Sequence, residues 1–237
     1  MQISHVNQDF SLDHIIPFFQ PIVDLTNDTV WRYECLARLL DFDQPSFVPS
    51  EFLFLVERRH SVSQLTQTIF SRSAHYFRNI NVAWSVNVSL EDMLDPQIPL
   101  FLSAQLLHYP NPQRVSMEIT VKNALENLSV FKEFADFCKS VNIGITLDHF
   151  DLSSSELEQI LDLPVDAIKV SGKVMQGIED NTTLTRALGY LFEQARKRNI
   201  VLIAEHIEQF NILESMKNLG FRYAQGFYLS EPKSNLE

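Results

Sequence analysis

Three carboxylates, Glu118, Asp148 and Glu205, fall late in short apolar runs of the 237-residue chain, as does Asn87, and a fourth, Glu34, lies within another such run. Lys169 and Gln225 lie within two more of these runs. Gathered at one partly buried mouth, four carboxylates repel one another, which raises their pKa values and favours protonation. A divalent cation is the simplest remedy. Carboxylate and amide oxygens suit Mg²⁺, Mn²⁺ or Ca²⁺ better than a metal that favours soft ligands. Lys169 fits such a site as charge balance, or as a group that orients a water or a phosphate. Taken singly, the same residues have plainer readings. A strand-end acid such as Glu205 commonly caps the next helix, a lysine forms an ion pair, and an asparagine caps a loop. Recurrence at equivalent places favours a site.

The elements that must position them follow from periodicity. Short β-type runs recur at 18–25, 29–39, 82–89, 114–120, 143–150, 167–171, 200–207 and 221–229. After the first two, amphipathic stretches intervene, with helical spacing over 65–77, 130–138, 184–198 and 211–219. Gly220 follows the last as a helix-ending residue, and Arg196, Lys197 and Arg198 sit where cations suit a helix C-terminus. Eight strands with helices between them predict an α/β fold, a modified TIM (β/α)₈ barrel. Only Thr26, Asn27 and Asp28 separate the first two strands, too few for a parallel crossover, so one barrel strand must run antiparallel. Barrel strands covered on both faces are usually continuous hydrophobics. Here Ser85, Asn87 and Ser89 alternate with Trp84, Val86 and Val88. Likewise Ser116, Glu118 and Thr120 alternate with Val115, Met117 and Ile119, and Thr146 and Asp148 with Ile145 and Leu147. Period-two geometry sends each polar set to one side, the barrel interior. The strongest polar groups then lie at the strands' C-terminal ends, where barrel sites form. Glu34 and Gln225 join the same ring.

Composition narrows the classes. Lys plus Arg total 19 against 30 acidic residues, a net charge of −11, which gives no global attraction for a DNA or RNA duplex or an anionic membrane. Apolar runs stay short of the roughly 20 residues that span a bilayer, and the N-terminus lacks the basic and apolar regions of a signal peptide. Two cysteines, Cys35 and Cys138, supply neither a disulfide framework nor a zinc site. Without a Gly-, Ser- or Pro-rich linker, residues 1–237 are expected to form a single cytoplasmic domain.

The run Phe19-Gln20-Pro21-Ile22-Val23 followed by Glu34-Cys35-Leu36-Ala37-Arg38 resembles the opening of the EAL domain, the cyclic di-GMP phosphodiesterase family. The likeness continues in order through Ser85–Ser89, Glu118-Ile119-Thr120, Leu147-Asp148-His149-Phe150, Ile168-Lys169-Val170, Ala204-Glu205-His206-Ile207-Glu208 and Gln225-Gly226-Phe227, over essentially the whole chain. The resemblance implies a barrel with one antiparallel strand, and hydrolysis of cyclic di-GMP to linear pGpG assisted by two divalent ions, Mg²⁺ or Mn²⁺. It implies Glu34, Asn87, Glu118 and Asp148 as first-metal ligands, Glu205 as a further metal-site carboxylate, Lys169 as the lysine orienting water, and Gln225 as an active-site amide. Gln20, Leu36 and Arg38 fall where the family contacts the dinucleotide, and a guanidinium suits bidentate capture of a phosphate.

This chain departs from the family where catalysis would suffer. His149 replaces the second carboxylate of an Asp-Asp pair, and Val121 stands where the family has a glutamate. Ser171 replaces an aspartate, His206 a glycine, and the loop Phe150-Asp151-Leu152-Ser153-Ser154-Ser155 lacks the family's glycines. One metal site is therefore expected, and a second is doubtful. His149 is either a plain loop residue or a ligand for a softer metal, with His206 beside it. The first expectation is a degenerate member that binds cyclic di-GMP, hydrolyses it weakly or not at all, and acts as a regulator. Two alternatives stand beside it: an active cyclic di-GMP phosphodiesterase, and a nucleotide-independent regulator that grips a protein partner. A homodimer is compatible with each.

Overall fold

The computed structural model describes residues 10–41, 44–152, 157–172, 174 and 182–236. Residues 1–9 of the N-terminal segment, and Ser153, Ser154 and Ser155 of the glycine-free loop, lie outside the described residues.

Strand β1 (Ile15–Asp24) turns directly into β2 (Thr29–Asp41). The turn is built by Asp24, whose Oδ1 accepts from the Thr26 N–H at 2.9 Å and whose Oδ2 accepts from Asn27 Nδ2 at 2.9 Å. This is the local hydrogen bonding that makes Asp a turn residue. A short β3 (Gln44–Phe47) follows, then α1 (Pro49–Arg58) and α2 (Val62–Phe77). The remainder alternates: β4 (Ala83–Asn87), α3 (Leu90–Leu94), α4 (Gln97–Leu106), β5 (Val115–Thr120), α5 (Val121–Glu126), α6 (Leu128–Ser140), β6 (Gly144–Phe150), α7 (Leu157–Leu161), β7 (Ala167–Ser171), α8 (Thr182–Arg198), β8 (Val201–Glu205), α9 (Phe210–Leu219) and β9 (Tyr223–Ala224).

The ring runs β1-β9-β8-β7-β6-β5-β4-β2 and closes through β1 and β2, with β3 paired to the outside of β2. β1 is antiparallel to both neighbours, whereas the other ring pairs are parallel. The barrel with one reversed strand is as the short first turn requires. Ten positions pair between β1 and β2, but only Val23 and Asp24 pair with β9. The C-terminal segment covers the β1 edge further along, through Phe19 N–H to Lys233 O at 2.7 Å and Lys233 N–H to Phe19 O at 3.1 Å.

Outward residues of the strands, among them Trp84, Met117, Ile119, Leu147, Ile168 and Val170, are buried in one continuous core with Phe52, Phe70, Phe77 and Phe131 of the surrounding helices. A smaller apolar cluster, Ile22, Ala167 and Ile203, fills the barrel's N-terminal end. The four sequence-predicted helices lie within α2, α6, α8 and α9, and Gly220 ends α9 at φ 100°. β3 and α1 were not expected, and the last strand is shorter than 221–229. After Ala224 the backbone bonds turn inward: Ile207 N–H reaches Gln225 O at 3.1 Å, and Leu229 N–H reaches Gly226 O at 3.0 Å. Among the described residues, no helix is long and apolar enough to cross a membrane.

Two glycines give opposite expectations. A Cβ at Gly226 would meet Ile207 O at 2.1 Å, a clash with backbone that no rotamer relieves. Gly226→Ala is expected to destabilise by on the order of 3 kcal/mol. Gly189 lies exposed inside α8 with open space around it, so Gly189→Ala should stabilise by about 0.5–1 kcal/mol. Thermal melts of the two variants against wild type check both signs.

Candidate active site at the barrel mouth

Alternate residues of each strand enter the barrel, and the parity read from sequence sets which ones. Lys169 of β7 is 1% exposed, with its Nζ 2.7 Å from Glu34 Oε2 and 2.5 Å from Glu118 Oε2. Ser85 Oγ donates to Glu118 Oε1 at 2.5 Å, and Asn87 Nδ2 donates to Glu34 Oε1 at 2.8 Å. Gln225 Nε2 spans Glu34 Oε2 at 2.7 Å and Gln20 Oε1 at 3.1 Å, while Gln20 Nε2 donates to Ser230 O at 3.1 Å. Burial opposes charge on Lys169, but the surrounding Glu118, Glu34, Asp148 and Glu205 outweigh it and raise its pKa well above the ordinary value. Burial, reinforced by Glu34, pushes Glu118 up to about 8 against the pull of Lys169. Four carboxylates around one ammonium thus shift Glu118 towards its protonated form.

The second group stands at the ends of β6 and β8. Asp148 Oδ2 takes a 2.8 Å contact from His149 Nδ1, and Lys169 Nζ lies 3.9 Å from Asp148 Oδ1. Glu205 Oε1 is 3.5 Å from His206 Nδ1. Burial alone would raise the Asp148 pKa, yet Lys169 and His149 hold it well below the usual carboxylate range. The bond to Asp148 lifts His149 to about 9, and Glu205 lifts His206 in the same direction. Asp148 Oδ1 and Glu205 Oε1 are nevertheless buried without a hydrogen-bond partner. Ligand atoms of Asp148, His149 and Glu205 all lie within 4.8 Å of one another. Two orphaned carboxylate oxygens beside an imidazole fit a divalent cation.

The expected metal ligands therefore meet at one mouth but in two groups. Glu34 and Glu118 pair with the Lys169 ammonium and Asn87 bonds to Glu34, while Asp148, 3.9 Å from that ammonium, stands with His149 and Glu205. The nucleotide-contact candidates share the opening: a cleft of about 280 Å³ is lined by Gln20, Leu36, Arg38 and Gln225 together with Asp148 and Glu205. Arg38 donates from Nη1 to Ala37 O at 2.8 Å, and its guanidinium carbon sits 5.6 Å from the Phe18 ring centre. Val121 opens α5 and is buried in the core, and Ser171 sits beside Glu205 in register. Sequence reading missed Arg32, a buried cation beneath the site that donates to Thr146 Oγ1 at 3.1 Å. Its signal was present, since Arg32 precedes Glu34 by two residues and so faces the same way.

A closed β/α barrel with one reversed strand and its polar cluster at the strands' C-terminal ends defines an α/β barrel of the TIM type. A family model described as EAL domain matches residues 4–232, and the chain belongs to the EAL domain family. It is 24% identical over 228 residues to cyclic di-GMP phosphodiesterase PdeA of Borreliella burgdorferi, covering 93% of this chain and 34% of that protein. The chain spans about a third of the length of the curated relatives it first matches. Among solved structures, the FimX EAL domain of Xanthomonas citri in complex with cyclic di-GMP superposes with TM-score 0.86 at 16% identity, covering 98% of this chain and 94% of that one. The FimX EAL domain of Pseudomonas aeruginosa bound to cyclic di-GMP gives 0.84 at 20% identity, covering 99% and 96%.

The His149–Asp148 bond makes a spectroscopic prediction. In chelator, the His149 imidazole should titrate near 9 by NMR, and Asp148→Asn should return it towards the ordinary ~6.5. An unchanged titration in Asp148→Asn would show that the carboxylate does not hold the proton.

Proposed function

We propose that this chain is a cyclic di-GMP-binding EAL domain with weak or absent hydrolysis that acts as a regulator. The observation that carries the reading is His149, an imidazole bonded to Asp148 where the family has a second adjacent carboxylate. Binding is supported by the retained opening. Arg38 offers a forked donor for a phosphate, Gln20 and Gln225 offer amides, and Leu36 offers an apolar wall. Asp148 and Glu205 would hold a divalent ion, with Glu34, Asn87 and Glu118 within reach. Such an ion, when bound, polarises a phosphoryl oxygen and lowers the pKa of a water. Weak hydrolysis is supported by the loss of that second carboxylate at His149, which removes a negative charge that a second hard cation would need. Removing about 3 kcal/mol of transition-state stabilisation lowers a rate roughly 10²-fold. Leu100 in the first half of α4 and Leu107 just past its end, 64% and 74% exposed, are apolar surface for a partner protein or a second copy.

Product analysis with cyclic di-GMP and Mg²⁺ or Mn²⁺ should give pGpG far more slowly than about 1 s⁻¹. Calorimetry should detect the nucleotide, with Arg38→Ala weakening it by roughly 10-fold or more. His149→Asp should raise hydrolysis. Wild-type turnover at 1 s⁻¹ or faster, on the order expected of enzymes, would replace this reading with the active phosphodiesterase. Absence of heat with any metal would leave the nucleotide-independent regulator.

A further inference from the structure

We propose that Asp148, His149 and Glu205 form a site for a borderline divalent transition-metal ion of the Zn²⁺, Co²⁺ or Ni²⁺ class, in preference to Mg²⁺. The inference rests on the reading of the mouth as a metal site and not on which nucleotide enters it.

Three observations carry it. The candidate ligand atoms lie within 4.8 Å of one another, and metal–ligand bonds near 2.0–2.2 Å place tetrahedral ligands about 3.4 Å apart. Small side-chain rotations therefore close the site. Next, Asp148 Oδ1 and Glu205 Oε1 are buried without a hydrogen-bond partner, on side chains only 6% and 7% exposed, with Lys169 Nζ 3.9 Å from the first and His206 Nδ1 3.5 Å from the second. Orphaned acceptors of this kind cost free energy unless a cation or proton meets them. Last, the third donor is nitrogen. Mg²⁺ demands oxygen ligands in near-ideal octahedral geometry, whereas imidazole suits Zn²⁺, Ni²⁺ and their neighbours. Two carboxylates and a neutral imidazole leave a charge that one divalent ion cancels.

His149 and His206 both adopt left-handed conformations, at φ 60° and 57°, and their rings stand 5.6 Å apart in a T-shaped pair. Such a conformation costs a non-glycine residue roughly 1–2 kcal/mol. His206 stands beyond the three ligands and close to Glu205, positioned to orient that carboxylate rather than to bind the ion.

The test uses chelator-treated protein without nucleotide. Titration with Co²⁺ should produce a visible d–d spectrum of low coordination number, saturating at one ion per chain. Zn²⁺ should displace the ion stoichiometrically, whereas a roughly 100-fold excess of Mg²⁺ should not. His149→Asn should weaken Co²⁺ binding by roughly 10-fold or more. Asparagine tolerates the left-handed region, and a melt in chelator verifies that the variant folds. His206→Asn should retain the spectrum. Displacement by Mg²⁺ at comparable concentration, or wild-type Co²⁺ binding by His149→Asn, would overturn the proposal. Calorimetry with cyclic di-GMP on the same preparations separates the two readings: metal binding without nucleotide binding would sink the proposed function and leave this site standing.

Discussion

The buried ammonium of Lys169 is the interaction on which the rest of the mouth depends. Placing a charge there costs desolvation, and only close, well-aligned acids offset it. Glu34 meets it from β2, across the ring, and Glu118 from β5, two strands along, so the contact exists only if the barrel is closed and every strand is in register. Gln225, Gln20, Asn87 and Ser85 then attach to those two acids in turn. A one-residue slip of any of these strands would send its polar side chain into the surrounding apolar core. The ion cluster therefore specifies register as much as it stabilises the fold.

Charge also explains why the acids divide into two groups. Lys169 faces four carboxylates, with Arg32 as a second cation lower in the barrel, where burial depresses its pKa and Glu118 and Asp166 raise it. Crowded acids raise the pKa of Glu118 and the bond to Asp148 raises that of His149, so the mouth draws protons towards both. A metal would substitute for those protons.

Much of this was legible in the sequence, for identifiable reasons. The alternation at Ser85–Asn87, Ser116–Glu118 and Thr146–Asp148 fixed which side chains enter the barrel, and the Thr26–Asp28 turn was too short for anything but a hairpin. β3 was hidden because Gln-Pro-Ser-Phe has no periodicity and a proline that argues against a strand. The end of β9 was overread because Phe227 and Tyr228 are apolar yet 60% and 47% exposed in a turn. Partition of the acids was beyond reach. It depends on which carboxylates lie across the ring from Lys169 and on a backbone irregularity between Leu147 and Phe150, neither of which leaves a mark in residue order.

The reversed first strand gives the barrel a seam. One side of β1 is stitched to β2 at ten positions, while the other meets β9 at two and is otherwise bridged by the C-terminal segment at Lys233. The Gln20–Gln225 hydrogen bond crosses that seam at the level of the mouth, and Gln225 also holds Glu34. Whatever occupies the cleft thus touches a clasp between the first and last strands of the ring. Filling the mouth and fastening the barrel are, at that point, one mechanical act.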